Sequence, residues 1–87
     1  MDNIIVKGEI KKIVDVVAIG NYKLLVTFQT GEIKIYDVEP LLKRPVYKPL
    51  GDINFFKTVH IVYGYTIGWS DDIDMCPETI YEDSFPA

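Results

Sequence analysis

The sequence predicts one small α+β domain over residues 1–87, built mainly on antiparallel strands. Three observations support this fold class. Short apolar runs alternate with polar residues at a period of two, which is typical of half-buried strands. Single glycines separate these runs by only a few residues, and prolines interrupt the remaining segments before a long helix could form. The chain has 87 residues, of which 48% are apolar, enough for one small core.

A three-strand meander accounts for the first half of the chain. Residues 13–19 are rich in Val and Ile and predict the first strand. Residues 23–28 predict the second, and residues 32–36 the third, with turns at 20–21 and at 29–32. We therefore expect a meander over residues 13–37.

Short helical turns and a second strand pair follow. Asp37 has the residue type of a helix cap, and the helix that it begins must end before Pro45. Residues 46–50 predict an irregular crossing over the core, after which Asp52 caps another single turn. Period-two alternation returns in residues 58–69, interrupted by a glycine turn.

The C-terminal segment predicts a short helix that begins at Pro77, with Cys76 as its cap, followed by a frayed end at residues 84–87. We expect the meander to pair with the second strand group, and the periodicity also selects a set of core residues. These are Val16, Leu24, Val26, Phe28, Ile33, Ile35, Leu41, Phe56, Val59, Ile61 and Ile80.

Charge and composition exclude several functions. The net charge is −4, and residues 70–87 contain six acids and no base, so we expect no specific nucleic-acid binding by this chain alone. The first ten residues lack the basic region of a signal peptide, and no segment has the ~20 apolar residues that cross a bilayer. A single cysteine excludes an internal disulfide, so we expect a cytoplasmic protein without a membrane partner.

Residues with catalytic chemistry are few and isolated. The six glycines are scattered, and none opens a helix after a strand as a phosphate loop requires. His60 is the one histidine, and Cys76 has no visible base beside it, so it is better explained as a helix cap than as a nucleophile. We therefore predict no catalytic residue, no cofactor and no metal ligand.

Two groups of residues remain as functional candidates. Asp71, Asp72 and Asp74 form an acidic turn, whose carboxylates could bind a cation but are better explained by hydrogen bonds to backbone donors. The second group contains aromatic side chains of the type that protein-binding surfaces use. Its members are Tyr47, Tyr63, Tyr65 and Trp69.

The order of several motifs resembles a known bacterial family. Residues 22–28, a turn at Gly31 and then residues 36–38 resemble the opening of the domain of unknown function 2442 family. Leu50, Asp52, Phe56 and Val59, followed by Trp69 and residues 73–81, resemble its second half, so the resemblance spans about residues 10–81. It implies a small α+β domain, sometimes fused to a helix-turn-helix and often encoded beside another small protein. It supplies no catalytic residue.

These observations favour a non-enzymatic protein-binding or accessory module, with a protein partner or a second copy as its target. Such a module could be half of a two-protein unit. The alternative is a regulatory or ligand-sensing domain related to transcription-factor fusions. A small enzyme that uses the acidic turn is the third hypothesis.

Overall fold

Two antiparallel sheets form the framework of residues 11–87, which the computed structural model describes. The first sheet has the order β1-β2-β3-β7 and the second has the order β4-β5-β6. The prediction that no signal peptide is present concerns residues 1–10, which lie outside the described residues. The strands are β1 Ile13–Ile19, β2 Lys23–Phe28, β3 Ile33–Asp37, β4 His60–Val62, β5 Thr66–Ser70, β6 Ile73–Met75 and β7 Phe85–Pro86.

The predicted meander is confirmed as the first three strands of the larger sheet. Gly31 has a φ of 97° in the turn between β2 and β3, a conformation that glycine adopts without steric cost. The prediction of a frayed C-terminus is wrong. Phe85 pairs with Ile35, which adds β7 to the free edge of β3.

The second strand group is also confirmed, but it forms a separate sheet that includes one strand more than expected. β4 and β5 form a hairpin whose turn has positive φ angles at Tyr63 and Gly64. The third strand, β6, pairs with β5 where the sequence predicted only a turn. A hydrogen bond of 2.9 Å from the Ile13 amide to the Tyr65 carbonyl joins the two sheets.

Short helices connect the sheets, as the prolines predict. Two 3-10 helices cover Glu39–Lys43 and Pro45–Gly51, and the second replaces the predicted irregular crossing. Asp52 caps α1, Ile53–Phe56, by accepting a hydrogen bond from the Asn54 amide. The second helix, α2, covers Pro77–Asp83. None of the helices within residues 11–87 is long and apolar enough to cross a bilayer.

The core lies between the two sheets and contains most of the predicted residues. Leu24, Val26, Phe28, Phe56 and Ile80 are buried in it. The partly buried predicted residues Val16, Leu41, Val59 and Ile61 pack against it. The full buried set also includes Ile13, Tyr36, Val38, Leu50, Ile67, Trp69, Ile73 and Met75.

The predicted core face of β3 is wrong. Ile33 is 47% exposed and Ile35 is half-buried outside the core cluster, whereas Tyr36 and Val38 are buried. The register explains the difference, because Tyr36 pairs with Leu24 and therefore shares its face of the sheet. The opposite face of β3 carries Ile33 and Ile35.

Candidate functional site

Most of the predicted contact residues lie around β6 and the start of α2, where two clefts adjoin. The first, which we call the Tyr63 cleft, has a volume of about 310 Å³. Its lining includes Tyr63 and Tyr65 from the β4–β5 turn, together with Asp74 and Glu78. Two predicted tyrosines and one predicted aspartate therefore meet at one site.

The second, which we call the Tyr36 cleft, has a volume of about 300 Å³ and lies between β3, the 3-10 region and α2. Tyr47 and Asp74, both predicted candidates, contribute to its lining. Arg44 and Asp83 add opposite charges, and Tyr36 forms part of the inner wall. The two clefts share Asp74, Met75 and Cys76, which lie in β6 and at the start of α2.

Burial and nearby charge shift the acidity of Tyr36. Its pKa is raised from 10.0 to about 12. Burial is the largest cause, followed by the negative charge of Asp83 and then by the proximity of the Tyr47 side chain. The Arg44 guanidinium acts in the opposite direction and lowers the pKa. The hydroxyl of Tyr36 is therefore neutral at physiological pH and can donate a hydrogen bond.

The acidic turn does not bring its three aspartates together. Asp71 and Asp72 are exposed in the two-residue turn between β5 and β6, whereas Asp74 lies within β6. Among residues 11–87, no group of three or more His, Cys, Asp or Glu side chains has the arrangement of a metal site. The turn that holds Asp71 and Asp72 joins two strands, and not a strand and a helix as the sequence predicted.

Trp69 lies in the core and not on a contact surface. It is 4% exposed, its ring stacks on Phe56 with centroids 6.0 Å apart, and its Nε1 donates to the Phe56 carbonyl at 2.8 Å. Polar tips of buried aromatic side chains commonly find such a partner. The sequence could not separate this core role from a surface role.

Cys76 and His60 show no catalytic arrangement among the described residues. Cys76 occupies the cap position of α2, as predicted, but its side chain makes no hydrogen bond to the helix backbone. Its Sγ donates to Glu78 Oε1 at 3.1 Å, so the expected side-chain cap is wrong. His60 is exposed, and its Nδ1 lies 2.8 Å from the Thr58 carbonyl oxygen.

An apolar row crosses the side of the first sheet that faces away from the core. Val17 pairs with Leu25, Leu25 with Ile35, and Ile35 with Phe85, so the row spans all four strands. Ile33 lies on the same side. We call these five side chains the outer face. Val17 and Ile33 are each 47% exposed and Phe85 is 45% exposed, and none of the five belongs to the core cluster of residues 11–87.

Sequence reasoning missed the outer face and most of the lining residues of the Tyr36 cleft. Leu25 was not assigned to either face, and Phe85 lay in the segment expected to fray. Tyr36, Arg44 and Asp83 were not predicted as site residues. One signal was present: Val38 continues the alternation of Tyr36 and would have placed Tyr36 on the core side.

Comparisons with known proteins identify the family. The family model described as protein of unknown function DUF2442 matches residues 13–86. The crystal structure named for a "Putative DNA Binding Protein" from Nitrosomonas europaea is similar, with a TM-score of 0.72 and 30% identity. That match covers 84% of this chain and 48% of the other, so this chain spans about half the length of that protein. No curated protein matches the sequence at a significant level. Because the family model covers nearly the whole sequence, this chain belongs to the DUF2442 family of proteins of unknown function.

Proposed function

We propose that this domain is a non-enzymatic protein-binding module that associates with a second copy of itself through the outer face. The observation that carries this proposal is the apolar row across all four strands. Side chains of this size on a solvated sheet face expose apolar area that association would remove from water. Symmetric dimers are the commonest way in which a single chain type covers such a face.

The arrangement of residues on the outer face favours a second copy as the occupant. A two-fold axis parallel to the strands, placed between β2 and β3, would bring Leu25 of one copy over Ile35 of the other. The same axis would bring Lys23 over Asp37, since these two residues pair across the same strands on the same side. Apolar groups would therefore meet apolar groups, and opposite charges would meet at the end of the contact.

The size of the outer face predicts a weak dimer. The outer face spans four strands about 4.8 Å apart and about three rows of side chains, so its contact area is roughly 300–400 Å² per copy. Stable complexes bury about 800 Å² per partner. We therefore expect a dissociation constant in the micromolar range.

Sedimentation velocity over a concentration series tests this proposal. The wild-type chain should shift from monomer to dimer as its concentration rises to high micromolar. Val17→Lys should stay monomeric, because it places a charge in the apolar row. Val46→Lys is the matched control, since Val46 is 54% exposed and lies outside the outer face. A wild-type chain that remains monomeric, or equal association by both variants, would contradict the second-copy proposal.

The alternative is a regulatory domain that acts together with DNA-binding proteins. It is supported by the 30% identity to the Nitrosomonas protein, whose name refers to DNA binding. Residues 11–87 contain eight bases and eleven acids, a balance that disfavours direct phosphate contacts by this part of the chain. Fluorescence anisotropy with a labelled duplex at physiological salt tests whether this chain binds DNA directly. Sequence-selective binding by the isolated chain would favour the alternative.

A further inference from the structure

The Tyr36 cleft has the size and the polar groups of a small-molecule site. Its volume of about 300 Å³ lies at the lower end of the range of ligand pockets, roughly 300–1,000 Å³. It lies on the core side of β3, whereas the outer face lies on the opposite side of the same strand. A ligand in this cleft would therefore not compete directly with association through the outer face.

The Tyr36 hydroxyl is the first indication of a ligand. The residue is only 5% exposed, and its hydroxyl makes no hydrogen bond to any side chain or backbone group of residues 11–87. Within this part of the chain, every completely buried side-chain oxygen has a hydrogen-bond partner. Tyr36 lines the cleft, so its hydroxyl is placed where a bound molecule can accept a hydrogen bond from it.

Charges of both signs surround this hydroxyl. Arg44 contributes a guanidinium, which binds carboxylates through two parallel hydrogen bonds. Asp83 and Asp74 contribute carboxylates to the same cleft, and these accept hydrogen bonds from ammonium groups. Arg44 and Asp83 both lie close enough to Tyr36 to influence its ionisation, in opposite directions.

We propose that the Tyr36 cleft binds a free amino acid through its two charged groups. The α-carboxylate would contact Arg44 and accept a hydrogen bond from the Tyr36 hydroxyl. The ammonium would contact Asp83 and Asp74. A simple anion would face two carboxylates and a simple cation would face the guanidinium, whereas a zwitterion satisfies both signs.

Chemical-shift mapping with each of the proteinogenic amino acids at millimolar concentration tests this proposal. At least one should shift the amide signals of residues that line the cleft, in a saturable manner. Its methyl ester, which lacks the carboxylate, and its N-acetyl derivative, which lacks the ammonium, should each bind at least tenfold more weakly. Equal binding of either derivative would contradict recognition of a zwitterion.

Three variants assign the contacts. Tyr36→Phe removes one hydroxyl and keeps the buried ring, and Arg44→Gln changes an exposed side chain, so both should remain folded. Each should weaken binding at least tenfold, whereas Lys43→Gln, an exposed neighbour outside the cleft lining, should bind as wild type. Absence of any saturable shift in the folded wild-type protein, or unchanged binding by Arg44→Gln, would overturn the proposal.

Discussion

Replacing Phe28 with Ala should remove a large part of the stability of this domain. Phe28 is 1% exposed, and its ring meets the Tyr81 ring edge-to-face with centroids 5.1 Å apart. Truncation of a buried Phe costs about 3–5 kcal/mol, and the loss of an aromatic pair places this site in the upper part of that range. Domains of this length have unfolding free energies of about 4–13 kcal/mol at 0.05–0.15 kcal/mol per residue. We expect Tm to fall by at least about 15 °C.

Urea denaturation followed by fluorescence measures this effect. Trp69 is the one tryptophan of the chain and is buried against Phe56, so its emission reports loss of the core. Ile33→Ala is the matched control, because Ile33 is 47% exposed and should cost less than about 1 kcal/mol. Both variants are measured at low protein concentration to avoid association. Equal losses for Phe28→Ala and Ile33→Ala would refute the assignment of the two faces.

Three further predictions concern single side chains. Cys76→Ser should change the free energy of unfolding by less than about 0.5 kcal/mol, because the exposed thiol makes no backbone cap; a larger loss in urea titrations would contradict this. Trp69→Phe should cost about 1–3 kcal/mol by circular dichroism, since it removes the buried hydrogen bond from Nε1 to the Phe56 carbonyl and the packing of the larger ring; a neutral result would argue against both contacts. The raised pKa of Tyr36, about 12 against 10.0, means that the folded state holds this proton more tightly than the unfolded state. The resulting stabilisation is complete below pH 10 and is lost as the pH rises through 12. Tyr36→Phe has no such proton to lose, so its stability in urea titrations should fall less at alkaline pH than that of the wild type.

The local pattern of the sequence determined the meander, the short helices and much of the core. Leu24, Val26 and Phe28 occupy every second position of β2, so the face that they share follows from the period of a strand. Prolines and the Asp52 cap likewise limit the helices through local sterics and hydrogen bonds. These features depend on residues a few positions apart, which is why the sequence alone predicts them.

Tertiary contacts decided what the local pattern left ambiguous. β3 has large side chains on both faces, and its pairing with β2 together with the burial of Val38 decides that Tyr36 lies inside and Ile35 outside. β7 exists because Phe85 meets Ile35 about fifty residues away in the chain. The Tyr36 cleft similarly combines Arg44 with Asp83 from distant segments. Such long-range pairings depend on how the whole chain buries its apolar surface, and the spacing of neighbouring residues carries no record of them.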